Sequence, residues 1–400
     1  MSDRPEEGTS LVRGSGGNVL LLSMRRLSDL AAFCVQYEFE DVVTEVTGAD
    51  RVDVGDREAL ELSRRVYKLA RLATGSRRFA LASTLRPSTV RLERDYELFF
   101  AVFNNAYELF ALAAVPDWRR RSRVAACFIN EAWAHLLPGY LLDLLAEFDH
   151  VFVGLRNPVD EIARIVGRPC SYLPMAVDVL RFAPRPDTPR VIDICSIGRR
   201  SEVTHAALVR MARDRRIFYH YDTVAASGPD RKQRTFHVDD PSEHRLLLAN
   251  ILQRSRYFIA NRSLVNAPEY TMGQEEIAPR FYEGAAAGTV LVGEPPRTED
   301  FARQFGWPDA VIRLPFDSPD IAQVLTDLDR DPERLARISA DNVRNSALHH
   351  DWVYRLRTVF ETARIPPTEA MLDREKRLQG LASSTFPASG ARAAREAKAS

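Results

Sequence analysis

The chain lacks an excess of charge of either sign: 55 lysines and arginines stand against 55 aspartates and glutamates in 400 residues. That balance offers no basic surplus for gripping nucleic acid. No apolar run reaches the length of about 18 residues that a membrane-spanning helix needs, and only contact with a membrane surface is left open. Cysteine is scarce. Cys34, Cys127, Cys170 and Cys195 lie far apart without C-x-x-C spacing, and they read as reduced thiols of a cytoplasmic protein rather than a disulfide or zinc framework. The chain also has no G-x-G-x-x-G, Walker loop or nucleophile elbow, which argues against NAD enzymes, P-loop NTPases and hydrolases. No metal site is expected. His349 and His350 are adjacent, and Glu131 and His135 stand four apart without a second histidine. Asp239–Asp240 ahead of Pro241 reads as a helix cap.

What is present is a repeated strand–helix alternation, which predicts parallel sheets with right-handed crossovers. At this length two or three domains are expected. Residues 1–17 are polar and read as a disordered lead, unlike a signal peptide. Residues 18–23 (NVLLLS) read as a buried strand whose end delivers Arg25 and Arg26. A helix over 58–73 has Leu60, Leu62, Val66, Leu69 and Leu72 as its apolar stripe. Residues 77–85 read as a strand, 96–103 as another, and 104–114 as a helix. Residues 123–129 form a strand that delivers Glu131, the best candidate of this half for an acceptor-contacting or catalytic group. Capping the next helix is its plainer role. Pro174, Pro184, Pro186 and Pro189 stiffen a connection before the strand 191–197, which turns at Gly198 into Arg199 and Arg200. From about residue 366 the chain reverts to Ala, Arg, Lys and Ser and reads as a solvated tail.

The most informative stretch is 273–296, GQEEIAPRFYEGAAAGTVLVGEPP. Pro279 suits the first turn of a helix. The helix then carries Arg280 and Glu283 among small residues and stops at Gly288, and TVLVG follows as a buried strand. Glu275 stands eight positions before Glu283. A helix N-terminus with its loop attracts phosphate, and carboxylates accept hydrogen bonds from sugar hydroxyls. An ordinary solvated loop and helix is the plainer alternative.

Glu275-x7-Glu283 with its small-residue helix and VLVG strand resembles the donor-binding signature of GT-B glycosyltransferases of the retaining "glycosyl transferases group 1" type. The phrase Pro174, Val177, Asp178, Phe182, Pro184 is similar to that family's linker, and 351–363 to its closing helix. The resemblance implies an α/β GT-B architecture of two Rossmann-like doubly wound parallel-sheet domains facing across a cleft. It implies a disordered lead to 17, an acceptor-side domain over 18–180, a donor domain over 181–350, a closing helix over 351–365 and a disordered tail over 366–400. It further implies that Glu283 binds the nucleotide ribose, Glu275 the donor sugar, and Arg199 beside Gly198 the diphosphate; either Arg200 supplies the second positive charge or the phosphate is held differently, and the helix N-terminus at Arg280 could serve the same charge. The family's lysine after Arg199 is missing, Thr204 or His205 standing there. The expected function is transfer of a sugar, with retention, from a nucleotide-diphosphate donor to an acceptor hydroxyl, without metal or other cofactor. The acceptor is not legible. A non-catalytic binding or assembly protein and a sugar-nucleotide epimerase of the same fold are the alternatives.

Overall fold

A computed structural model describes residues 8–84, 88–223, 226–227 and 234–384. The chain divides into two compact units, Met1–Pro174 with Arg355–Arg374, and Met175–Tyr354 with the chain from Glu375. Each is built on its own sheet.

The first sheet contains β1 (Ser10–Val12), β2 (Val19–Ser23), β3 (Asp50–Asp53), β4 (Tyr96–Asn105), β5 (Ser122–Glu131), β6 (His150–Val153) and β7 (Cys170–Tyr172). Their order is β1-β3-β2-β4-β5-β6-β7, parallel except for β1 on β3. All five residues of β2 are buried, as a strand covered on both faces requires. Phe99, Trp118 and Phe148 stack behind the sheet, with ring centroids 4.6 and 5.0 Å apart along the series. The helices are α1 (Cys34–Thr47), α2 (Arg57–Thr74), α3 (Arg77–Ala82) and α4 (Val159–Val166).

The second sheet contains β8 (Ile192–Ser196), β9 (Tyr219–Tyr221), β10 (Ser255–Ile259), β11 (Val290–Gly293) and β12 (Ile312–Arg313), in the order β12-β11-β10-β8-β9 and parallel throughout. Strand order therefore reverses between β8 and β10. In a doubly wound sheet the crevice at the carboxyl ends of such strands is where ligands bind. The helices are α5 (Glu202–Arg213), α6 (Pro241–Gln253), α7 (Pro279–Ala286), α8 (Ile321–Asp329) and α9 (Pro332–His349). Then come α10 (Trp352–Ala363) and α11 (Glu369–Ser383).

Several expectations are corrected. The supposed strand at 77–85 is helical over Arg77–Ala82 (α3), capped by the Ser76 hydroxyl, which accepts from the Phe79 N–H; residue 85 lies outside the described residues. The expected helix over 104–114 is a 3-10 helix that starts at Ala106, Asn104 and Asn105 belonging to β4. The lead is not wholly disordered, because β1 pairs with β3; residues 1–7 lie outside the described residues. The tail is not solvated from 366. Helix α11 buries Met371 and Arg374, and the Thr368 hydroxyl before it donates to the Val46 carbonyl at 2.6 Å. Residues 385–400 lie outside the described residues. In α2, Leu60 is buried while Leu62, Leu69 and Leu72 face outward. Asp240 does cap α6, accepting from Ser242 and Glu243.

A guanidinium-lined site at the carboxyl ends of the second sheet

The run of apolar and small residues in α7 has a direct cause. At Gly284 a Cβ would collide with Leu291 and would stand 2.7 Å from Phe258 and 3.0 Å from Thr289, so the helix lies against β10 and β11 closer than any larger residue allows. Gly288, at φ +65°, ends it. The carbonyls just after it are taken by a half-buried arginine: Arg190 donates to the carbonyls of Ala287 (2.9 Å) and Gly288 (2.8 Å), and to that of Ser255 in β10. With no carboxylate among these partners, burial pulls Arg190 down to about 10. The helix carrying Arg280 and Glu283 is thus fixed at both its face and its end.

Glu283 is 6% exposed and forms an ion pair with Arg245 of α6, itself 3% exposed. Arg245 also lies over the Phe182 ring, 4.8 Å from its centroid. Arg280 extends to the turn after β8. Gly198 adopts φ +75° there, and a Cβ on it would come within 2.5 Å of Arg280 Nη2. The Gly198 N–H donates to Asp222 beyond β9 at 2.5 Å. Burial depresses the Arg280 pKa; Glu283 and Asp222 oppose that shift and Arg199 adds to it. His244 is lowered for the same first reason and then by Arg245, with Glu283 and Asp222 again opposing. Three guanidiniums, Arg199, Arg245 and Arg280, therefore share one electrostatic neighbourhood with two carboxylates, Asp222 and Glu283.

Of the residues expected from sequence, Gly198, Arg199, Arg280 and Glu283 gather here. Arg200 turns elsewhere. It lies over the Tyr221 ring at 5.1 Å and lines a small cleft with Ser196, Thr204, His205 and Asn261. Its buried Nε and Nη1 have no hydrogen-bond partner among the described residues, nor does Gln274 Oε1 in the loop before α7. Glu275 accepts from the Arg297 N–H at 2.6 Å and stands 3.5 Å from Arg262, which also pairs with Glu294. Glu131 ends β5 in the first unit, exposed and in register with Asn105. Sequence reasoning missed Arg245 as a site residue. Its signal was an arginine on the buried face of α6, in step with Leu248, Ala249 and Leu252, where a charge needs a buried partner.

Among the described residues no group of three or more His, Cys, Asp or Glu is placed to hold a metal, and no helix is long and apolar enough to cross a membrane.

Residues 199–361 match the family model described as "Glycosyl transferase-like". The chain is similar to HepE of Anabaena, solved in complex with UDP and glucose, with TM-score 0.50 and 10% identity over 87% of this chain and 100% of that one. The likeness shows a GT-B fold. The matched residues 199–361 carry Arg199, Asp222, Arg245, Arg280 and Glu283 together. Structures of the spinosyn forosaminyltransferase SpnP (TM-score 0.39, 15% identity, 87% of this chain and 100% of that one) and of TarM (0.40, 10%, 66% and 54%) also match. None of the curated proteins compared with the chain matches it.

Proposed function

We propose that the second unit holds a nucleoside diphosphate sugar and that the protein transfers the sugar to an acceptor hydroxyl. The observation that carries this reading is the gathering of Arg199, Arg245 and Arg280 with Asp222 and Glu283 beside Gly198, at the carboxyl ends of β8 and β9 next to the reversal of strand order. The match of 199–361 to the glycosyl transferase-like family supports it.

The chemistry follows from charge. A departing diphosphate gains negative charge as the glycosidic bond breaks, and guanidiniums fixed beforehand stabilise it without reorganising. Arg280 and Arg199 take that role, with Arg280 packed on Gly198 so that the backbone can approach the phosphates. Glu283 accepts from the ribose hydroxyls, which makes the ligand share this carboxylate with Arg245. Arg200, turned towards Tyr221, is left out of the phosphate contacts. Glu275 holds the sugar hydroxyls. Retention of anomeric configuration belongs to the proposal and rests on the Glu275–Glu283 signature. No metal or other cofactor is part of the proposal.

HepE was solved with UDP and glucose, so UDP and UDP-glucose are the first ligands to try. Isothermal titration should give saturable, one-to-one binding of a nucleoside diphosphate, lost in Glu283→Ala. Unchanged affinity in that variant sinks the ribose assignment. Sugar released from the nucleotide in the absence of acceptor, followed by NMR for its anomer, separates transfer from the second reading. In that reading the buried Arg245–Glu283 pair occupies the carboxylate permanently, and the protein binds or assembles without turnover.

A further inference from the structure

Helix α2 has two faces, and only one is used by its own unit. Leu60, Ser63 and Tyr67 point inward, and Tyr67 meets the Phe110 ring at 5.6 Å. Arg71 reaches Asp143 at 2.6 Å and Arg77 of α3 reaches Glu147, which ties both helices down from that side. The opposite stripe follows the same 3.6-residue period. Leu62, Leu69 and Leu72 are 48, 68 and 69% exposed, Arg65 is interleaved with its side chain 73% exposed, and Phe79 of α3 adds a ring 56% exposed. Leaving three leucines of one helical stripe, and a phenylalanine of the next helix, in water is unfavourable for a free protein.

Charge indicates what covers that face. Residues 57–82 hold seven basic and two acidic side chains; with Arg71 and Arg77 paired to Asp143 and Glu147 on the inner side, a balance of +3 is left in a chain whose total is zero. An apolar helical stripe flanked by arginine and lysine is the pattern of a helix lying in the plane of a bilayer interface, its leucines at the acyl boundary and its cations at the phosphates. We infer that the outer face of α2 and α3 docks on an anionic lipid surface. It is held there reversibly, since none of the described helices can cross a membrane. This inference stands apart from the donor site of the second unit.

The test is co-sedimentation of the full chain with vesicles of phosphatidylcholine alone and of phosphatidylcholine with phosphatidylglycerol in equal parts, at low and at physiological salt. The expected result is binding to the anionic vesicles only, weakened by salt. The paired substitution Leu69→Asp with Leu72→Asp should abolish it. Arg65→Glu with Arg78→Glu should lower the partition coefficient at least about tenfold, since each basic group at such a surface contributes on the order of 1 kcal/mol. These residues are exposed, so circular dichroism and the melting temperature should stay unchanged. Three outcomes overturn the inference: no binding to anionic vesicles at low salt, binding that ignores both paired variants, or a concentration-dependent dimer of the native chain that the leucine variant dissolves. The last would make the face an interface between copies.

Discussion

Glu283 sits in a buried ion pair, and its removal should be felt in the fold before any ligand is added. Arg245 and Glu283 side chains are 3 and 7% exposed, so solvent does not screen them as it does a surface pair. Removing one member of a buried pair costs about 3–5 kcal/mol, because the other charge is left uncompensated. Glu283→Gln keeps the shape and one acceptor oxygen, which places it near the low end, about 3 kcal/mol. Arg245→Met keeps a flexible side chain over Phe182 and leaves Glu283 with Arg280 as the neighbouring cation, so about 2 kcal/mol is expected. Replacing both should cost little more than either alone, since a neutral, well-filled pair removes both desolvation penalties. A coupling energy of about 2 kcal/mol or more should result. With two units in the chain a single global unfolding energy is poorly defined, so the assay is native-state hydrogen exchange of the α6 and α7 amides, which reports local opening. Additive losses in the double variant, or a loss below about 1 kcal/mol for Glu283→Gln, would refute the reasoning.

Further expectations are as follows. Arg190→Met strips the carbonyls of Ser255, Ala287 and Gly288 of their common donor, and a loss of about 2–3 kcal/mol in exchange protection around α7 and β11 checks it. Glu108 is pushed up to about 7 by burial, against its hydrogen bonds from Asn104. A carboxyl whose folded pKa is raised binds its proton more tightly in the native state, so its contribution is full below about 4.5 and is lost as pH rises towards about 7. The stability difference between Glu108→Gln and the native protein should therefore move in favour of the variant by on the order of 2 kcal/mol across that window, read from chemical denaturation at several pH values. A pH-independent difference contradicts it. Gly198→Ala puts a Cβ at φ +75° against Arg280. The strain of about 1–2 kcal/mol and the displaced guanidinium should weaken nucleotide affinity at least tenfold in titration calorimetry, beyond any change in melting temperature.

The sheets and the order of elements in the second unit were legible because buried parallel strands such as β8 and β11 are short apolar runs flanked by glycine. The stretch around α7 was legible because Pro279, Glu283, the alanines and Gly288 each do one local job and agree with one another. Less visible was whatever depends on distant partners. Arg200 and Arg199 are neighbours in sequence, yet Arg200 stacks on Tyr221 while Arg280, far along the chain, comes to Gly198. Arg245 looks like a surface arginine until Glu283 is seen to need it. Residues 77–85 read as a strand, but the Ser76 cap and the exposure of Phe79 and Leu81 go with a helix over Arg77–Ala82. The tail from 366 has a poor apolar content, and burial of Met371 with the Thr368 hydrogen bond to Val46 is enough to order α11.

The central claim is that the second unit binds a nucleoside diphosphate through its arginines and Glu283. The most direct measurement is the melting temperature of the full chain against a panel of nucleoside diphosphates and their sugars, with Glu283→Ala alongside. Binding to the native state stabilises by mass action, by about 2.7 kcal/mol at a ligand concentration one hundred times Kd. A selective upward shift with one base, absent in the variant, is the predicted result. A native protein that no nucleotide shifts at millimolar concentration would contradict the claim.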